Sequence, residues 1–244
     1  FKAVTNQFGY GIGDGEYAVT GRVTGTPVWR PEGKQFWHVG GAMSVRDPVD
    51  GQTRVRARSL VRNAPGPFLP VVADTGVLNS DRQTLFDVET AYVQGPLTLQ
   101  AEYMANVVRG ASIVRTAPLG DVLLDGWYAE ALVFLTGESR GWRVKSATKS
   151  GRRRRRSARV RPRSPLRLEG GVPTGWGAWE VGVRYSHLDL NDDGVRGGRL
   201  NGVTVGLNWY WNPNAKLQAN YDYLYRDGFV NPAASGSVHA LGVR

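Results

Sequence analysis

Polar and apolar residues alternate along the stretch from Leu200 to Arg226, and this stretch sets the interpretation of the rest of the chain. It reads LNGVTVGLNWYW, then NPN, then AKLQANYDYLYR. A period of two places successive side chains on opposite faces of a β-strand. The NPN triplet at 212–214 is a turn signal, so the two runs are predicted to form an antiparallel hairpin.

One face of this hairpin is apolar and carries aromatic side chains near the strand ends. Each strand has about 11 residues, near the length that a tilted strand needs to cross a bilayer, whereas strands of soluble proteins commonly have about 5 to 6. Aromatic girdles around an apolar band are typical of outer-membrane barrels. A long hairpin of a soluble β protein is the alternative. The apolar face consists of Val203, Val205, Leu207, Trp209, Trp211, Ala215, Leu217, Ala219, Tyr221, Tyr223 and Tyr225.

Similar alternation predicts about ten strands, with no convincing amphipathic helix. They are residues 17–24, 36–46, 53–61, 84–94, 97–108, 126–137, 178–189, 200–211, 215–226 and 237–244. Short connections are predicted after Arg46, Gln94 and Trp211, and longer ones after Thr24, Val61, Val108, Asp189 and Arg226. Alternating short turns and long loops are typical of a barrel with tight periplasmic turns. The exception is an irregular Arg/Pro-rich connection at 138–177, which falls on the short-turn side.

Composition excludes several other classes of protein. The 244 residues include no Cys and have a mean hydropathy of −0.34, and no run approaches the roughly 18 apolar residues of a membrane helix. Missing Cys removes disulfides, thiolate metal sites and Cys nucleophiles. The three histidines lack metal-ligand spacing, and there is no nucleophilic serine motif or phosphate loop. We therefore expect no enzyme activity and no cofactor.

A formal charge of +10 and a pI near 10.1 indicate an anionic partner. Cations on the polar face of a barrel would line the lumen and attract anions, and the planar donor fork of arginine suits phosphate oxygens. The candidates are Arg22, Arg46, Arg54, Arg56, Arg58, Arg184, Lys216 and Arg226.

The alternative for each of these cations is a structural ion pair with an acid on the same face. The acids available are Asp87, Glu89, Glu102, Glu130, Glu180 and Asp222. For most of the cations this pairing is the favoured interpretation. For Arg54, Arg56 and Arg58 an anion path is favoured, because three like charges on one strand repel each other unless something anionic lies opposite.

Two further motifs have weaker interpretations. The run RRRRRSARVRPR at 152–163 could bind polyanions or nucleic acid through phosphates. It lacks interleaved aromatics and a binding fold, so a solvated connection is favoured and no nucleic-acid partner is expected. Asp189, Asn191 and Asp193 match the start of a calcium loop, but Leu200 stands where the required Glu would be. A polar outer loop is therefore expected there.

Seven stretches together resemble the phosphate-selective porin O and P family, in family order and over most of the chain. The combination of GWY with FLTGE, GAWE with RYS, and NWYWNPN is specific, although each motif alone is weak. The stretches are GIGDGEYAVTGRVTGTP (11–27), AMSVRDPVDGQTRVRAR (42–58), RNAPGPFLPVVADTGVL (62–78), ETAYVQGPLTLQAEYM (89–104), GWYAEALVFLTGESR (126–140), GWGAWEVGVRYSHLDLND (175–192) and VGLNWYWNPNAKLQANYDYLYRD (205–227).

The resemblance implies an all-β, antiparallel transmembrane barrel of roughly sixteen strands in the bacterial outer membrane. It also implies a trimer that contacts membrane lipid and passes phosphate or related anions. We expect residues 1–244 to be one barrel domain, a fragment incomplete at both ends that holds the C-terminal ten or so strands. The run Arg152–Arg156 departs from the family pattern as an insertion or a frame artefact. A barrel with a plugged lumen and a structural or adhesive role is the weaker alternative.

Overall fold

The described residues form an antiparallel β structure in which nine long strands follow one another. The computed structural model describes residues 17–30, 34–59, 71–113, 118–140, 142–145, 154–157, 159–227 and 235–244. None of the described residues form a helix long and apolar enough to span a membrane. The strands in chain order are β1 (Ala18–Trp29), β2 (Gln35–Arg46), β3 (Gln52–Thr53), β4 (Arg56–Arg58), β5 (Val71–Asp74), β6 (Leu78–Asn79), β7 (Arg82–Gln94), β8 (Leu97–Ile113), β9 (Pro118–Phe134), β10 (Trp142–Lys145), β11 (Arg154–Ser157), β12 (Arg167–Glu169), β13 (Val172–Thr174), β14 (Ala178–Asp192), β15 (Val195–Asn212), β16 (Ala215–Asp227) and β17 (Gly236–Val243).

Neighbours in the main sheet are also neighbours among the long strands of the chain. The order is β1-β2-β7-β8-β9-β14-β15-β16-β17, and every adjacent pair is antiparallel. The predicted hairpins form as expected: Gln94 lies opposite Leu97, and Asn212 lies opposite Ala215. The sheet is open in the described residues, since β1 and β17 each pair on one side only. This meander is the arrangement of an up-and-down barrel wall.

The two faces of the sheet have inverted polarity compared with a soluble protein. Apolar side chains are exposed on one face, here called the outer face, where Val205 is 52% exposed and Val88 62%. Polar side chains lie on the opposite, inner face, where Asn208 is only 6% exposed. Exposing such a large apolar surface to water is unfavourable, so this face requires an apolar solvent. The prediction of an antiparallel membrane barrel wall is confirmed.

Aromatic side chains form two belts on the outer face. Near the turns, Trp179 lies opposite Trp209 in the register, and Trp37 is close to the same strand ends. Toward the other end, Tyr103 lies opposite Trp127, and the Trp127 and Tyr185 rings are 5.2 Å apart between centroids. Roughly ten residues of β15 separate Trp211 from Asn201, and at about 3.4 Å per residue with a tilt of about 40° they rise roughly 25 Å. That height matches the apolar band of an outer-membrane barrel.

One predicted wall strand, Thr53–Val61, is wrong. Of its described residues, Thr53 ends the two-residue strand β3, which pairs with β6, and Arg56–Arg58 forms β4, which pairs with β5 outside the main sheet. Residues 60–61 of the predicted strand lie outside the described residues. The place beside β2 is already occupied by β7, which pairs with β2 from Gln35 to Arg46. The connection from residue 47 to 81 is therefore one long excursion. It lies at the end of the sheet opposite the turns at 95–96 and 213–214, and we name these the loop end and the turn end.

Several strand boundaries lie beyond the predicted ones. β1 continues to Trp29 through a register shift between Gly25 and Val28, so the β1–β2 connection is short and lies at the turn end. The predicted loops at 109–125 and 189–200 are largely strand, because β8, β9, β14 and β15 extend at the loop end.

The 135–177 connection at the turn end contains two short hairpins, β10–β11 and β12–β13, off the main sheet. In the predicted basic run, Arg152, Arg153 and Ala158 lie outside the described residues.

Candidate anion path on the inner face

The described parts of the 47–81 connection, residues 47–59 and 71–81, fold inward and cover part of the inner face at the loop end. Its Val55, Ala57, Val72, Ala73 and Leu78 pack in one apolar cluster with inner-face residues of five wall strands. Leu78 is fully buried. Burying a leucine side chain contributes roughly 1.5–3 kcal/mol, so the connection has its own hydrophobic reason to lie inside. The wall residues of this cluster are Val108, Ala111, Val122, Leu124, Leu190, Val195, Leu200 and Leu224.

Hydrogen bonds fix both ends of this connection. The hydroxyls of Thr53 and Ser80 are 2.7 Å apart, and Gln83 of β7 donates to the Thr53 hydroxyl at 2.6 Å. The Thr75 backbone N–H donates to the Val55 carbonyl at 3.0 Å. The strand β6 adds to the free edge of the β8 extension, with Leu78 opposite Ile113. These hydrogen bonds hold the described parts of the connection in a defined position on the inner face.

Gly197 of β15 lets the connection lie close to the wall. A Cβ atom at this position would be 2.6 Å from Leu190 Cβ and 3.2 Å from the Cα of Thr75 in the connection. Contacts this short with backbone are not tolerated, so a larger residue would displace the connection or the strand.

Arg54 is held in the connection by a paired carboxylate. Its Nε donates to Asp74 Oδ1 at 2.9 Å and its Nη2 to Asp74 Oδ2 at 2.5 Å. The hydrogen bond from Arg54 is the main cause that holds the pKa of Asp74 below its ordinary value, and Arg56 lowers this pKa further. Asp74 also accepts from the Gly76 N–H at 2.9 Å. This fork-to-fork pair orients the loop and neutralises one of its charges.

Arg46 and Arg56 are predicted site residues that line a cavity next to Arg54. Together with Arg54 they line a cavity of about 630 Å³ between the connection and the inner face, which also includes Thr20, Gln83 and Asn106. Arg46 donates from Nε to Ser44 Oγ at 3.1 Å. Among the described residues, no carboxylate lies within ion-pair distance of Arg46 or Arg56. Asp87 is a carboxylate on the wall of this cavity, on the inner face of β7.

Other predicted cations sit beside acids. Arg22 on β1 forms an ion pair with Glu89, which also contacts His38 Nε2 at 2.8 Å. Arg184 on β14 stacks over the Tyr128 ring, 3.6 Å from its centroid, and lies 4.0 Å from Glu130. Both arginines are therefore largely neutralised within the wall.

The remaining three predicted cations occupy different places. Arg58 is half-buried and pairs through its backbone with Val71. Arg226 is half-buried on the inner face of β16, opposite Leu200. Lys216, near the turn end, places Nζ 5.6 Å from the centroid of the Tyr210 ring. Neither Arg226 nor Lys216 lines the cavity that holds Arg46 and Arg56.

A buried ion pair at the turn end was missed by the sequence analysis. Glu180 of β14 is completely buried and accepts from Arg140 Nε at 2.6 Å and Nη2 at 2.7 Å. Asn208 and Tyr210 each donate to the same carboxylate at 3.0 Å. Burial lowers the pKa of Arg140, but Glu180 more than compensates and the pKa is raised. The sequence signal was Glu180, an acid on the inner face at the end of its strand. It lies opposite Asn208 and close to Tyr210, two side chains that can donate hydrogen bonds to it.

Arg140 and Arg184 share a second polar cavity of about 570 Å³ on the inner face. Its lining is mixed in charge, with Glu130 and Asp222 as acids and Thr204, Asn208, Gln218 and Asn220 as neutral donors and acceptors. Asp222 accepts from the Thr204 hydroxyl at 2.5 Å. The inner face is thus polar from the turn end to the inward connection.

The acids of the suspected calcium loop hold a hairpin together. Asp189 forms an ion pair with Arg199 at 2.6 Å and accepts from the Asn191 backbone N–H at 3.0 Å. Asp192 accepts from the Leu123 N–H of β9 at 2.6 Å. A two-residue turn, Asp193-Gly194, joins β14 to β15 here, so the expected polar loop is much shorter than predicted.

Comparison with known proteins agrees with this geometry. The sequence model of the family "Phosphate-selective porin O and P" matches residues 14–244. The chain belongs to this family. Porin O/P proteins are bacterial outer-membrane proteins, so the exposed apolar face of the sheet faces lipid. The family consists of channels and is not a class of enzymes.

Two curated relatives are longer than this chain. A protein of Caulobacter vibrioides described as uncharacterized is 29% identical over 228 residues, covering 90% of this chain and 41% of the relative. Porin O of Pseudomonas aeruginosa is 27% identical over 157 residues, covering 61% of this chain and 31% of that porin. The chain therefore spans less than half the length of either relative. An outer-membrane location sets aside the soluble polyanion-binding alternative.

Proposed function

We propose that this chain forms part of an outer-membrane porin that passes small, phosphate-like anions by passive diffusion. The path runs along the inner face, past the cations predicted from the sequence: Arg22, Arg46, Arg54, Arg56, Arg58, Arg184, Lys216 and Arg226. The observation that carries the proposal is the cavity that the described parts of the 47–81 connection form with the inner face, where no described carboxylate lies within ion-pair distance of Arg46 or Arg56. No cofactor is needed, because no bond is made or broken.

The chemistry of selection follows from these two guanidinium groups. An anion that enters the cavity loses part of its hydration, and arginine N–H groups replace it. The inward connection narrows the path at this depth, so a passing anion cannot avoid the field of the arginines. Arg22, Arg54 and Arg184 shape the wall, since each has an acid beside it.

Ion selectivity of the full-length protein in planar bilayers tests the proposal. A charge about 4 Å from an ion contributes roughly 1 kcal/mol in water-like surroundings, which is about fivefold in occupancy. We expect the reversal potential of the R46A/R56A double variant to show a loss of anion preference of at least that size. R109A is the matched control, because Arg109 pairs with Asp121 on an exposed strand extension away from the cavity.

Three outcomes would overturn the assignment. Cation preference in the unmodified protein would exclude an anion path. Anion preference that is the same in R46A/R56A and in R109A would exclude these two arginines as its source. A protein that inserts but does not conduct would support the plugged structural barrel instead.

We also propose that the full-length porin is a homotrimer, as the family resemblance implies. Electrophoresis of unheated, chemically crosslinked protein tests this, and migration as a monomer at all protein concentrations would exclude it.

A further inference from the structure

A short hairpin projects from the turn end without covering any part of the lumen. It consists of β12 and β13, with Leu168 opposite Pro173, Glu169 opposite Val172, and the turn Gly170-Gly171 at the tip. Two of its apolar side chains are largely exposed to solvent: Leu168 is 74% exposed and Val172 62%. Neither cavity of the inner face includes any residue of this hairpin.

The base of the hairpin is fixed to the barrel wall. The Leu166 N–H donates to the Trp211 carbonyl at 2.9 Å, and the Gly177 N–H donates to the Ser164 carbonyl at 2.8 Å. Gly177 has φ of +70°, and a Cβ there would lie 2.4 Å from the Tyr210 carbonyl oxygen. Only glycine fits such an approach. The hairpin is therefore held in a defined position relative to the outer face.

A tryptophan cluster joins the hairpin to the lipid face. The carbonyl of Trp176 accepts the indole N–H of Trp179 at 3.1 Å and that of Trp209 at 2.8 Å. Trp179 and Trp209 are stacked with their centroids 4.8 Å apart, and both lie on the outer face that contacts lipid. The side chain of Trp176 itself is 79% exposed. The bare apolar surface of the hairpin is thus continuous with an established lipid contact.

We propose that this hairpin is an interfacial anchor that lies in the phospholipid headgroup region of the leaflet at the turn end. Leu168, Val172 and Trp176 enter the boundary between headgroups and acyl chains, where tryptophan is favoured. Arg167 contacts lipid phosphate groups. Glu169 lies opposite Val172 and on the same face as Arg167, so its carboxylate stays among the hydrated headgroups.

Lipid fits this surface better than a second copy of the chain. Leu168 and Val172 point to opposite faces of the hairpin, because they occupy positions of opposite parity in the register. One flat protein surface would cover one of these faces and leave the other bare. A fluid lipid interface surrounds both.

Site-directed spin labelling of the full-length protein in phospholipid vesicles tests the anchor. The chain contains no cysteine, so single labels at L168C and V172C report on the hairpin alone. L241C is the hydrocarbon control, because Leu241 is 75% exposed on the outer face of β17. R161C is the water control, because Arg161 is exposed in the same connection.

The measurement is the accessibility of each nitroxide to oxygen and to a water-soluble nickel chelate. We expect the hairpin labels to lie between the two controls, with nickel accessibility several-fold below that of R161C and oxygen accessibility below that of L241C. Nickel accessibility equal to that of R161C would place the hairpin in water and overturn the proposal. Protection from both reagents with an immobilised spectrum would show a protein contact and overturn it as well. Neither outcome depends on whether the porin selects anions.

Discussion

At the scale of single residues, the sequence predicts which way a wall side chain points but not what it touches. Arg22, Arg46, Arg184 and Lys216 all belong to wall strands, and their facing follows from the period of two. The partner of Arg54 is Asp74, in a segment whose folding depends on distant wall strands. The partner of Glu180 is Arg140, which lies beyond the end of a strand. Side-chain pairing across such distances leaves no local pattern to read.

The Arg140–Glu180 pair gives a prediction at this scale. In R140A the buried Glu180 carboxylate keeps the hydrogen bonds from Asn208 and Tyr210 but loses its counter-charge. Breaking a buried ion pair is strongly destabilising, and partial exposure of Arg140 reduces the effect, so we expect a loss of roughly 3 kcal/mol at the turn end. Thermal unfolding in detergent, followed by the heat-dependent shift in gel mobility, measures it.

The matched variants for this test are E180Q and R109A. E180Q keeps an acceptor for Asn208 and Tyr210 without a charge, so it should lose less stability than R140A. R109A removes an exposed arginine and should change little. Equal unfolding temperatures for R140A and R109A would show that the pair does not stabilise the fold.

At the scale of elements, the long strands and their hairpins were predictable because alternation is a local property. The β7–β8 and β15–β16 hairpins match their predicted turns. The extensions of β8, β9, β14 and β15 at the loop end were not predictable from alternation, because residues such as Val122 and Val195 are buried by the inward connection. Arginines alternate at 54–58 as they would on a wall strand, but this segment folds inward through contacts with distant wall strands, which leave no local pattern.

The inward connection gives a prediction at the element scale. Leu78 anchors it in the apolar cluster and is completely buried. Replacing a buried leucine by alanine costs about 2–5 kcal/mol, enough to loosen the packing of the connection against the wall. We expect L78A to raise single-channel conductance and weaken anion selectivity, because the cavity around Arg56 opens.

The neighbouring residue supplies the control for that experiment. Val77 is 37% exposed, so V77A makes a change of similar chemistry without emptying the cluster. If L78A and V77A conduct identically, the connection does not limit the path.

At the scale of the whole molecule, the sequence and the structure agree that polarity is inverted across the wall. Apolar and aromatic side chains such as Val205 and Tyr221 are exposed on the outer face, while Asn208 and Asp222 are buried on the inner face. The alternating pattern predicts this inversion directly, because each strand contributes to both faces in turn. The inward position of the described parts of the 47–81 connection required the structure, since it arises from contacts between residues far apart in the chain.

Cysteine accessibility along β16 tests the central claim most directly, namely that one face of the wall meets lipid and the other a water-filled path. Single cysteines at Leu217, Gln218, Asn220 and Tyr221 of the full-length protein are exposed to a charged, water-soluble thiol reagent during conductance recording. Q218C and N220C should react and change the current, and L217C and Y221C should not react. Equal reaction at all four positions, or reaction confined to L217C and Y221C, would contradict the account.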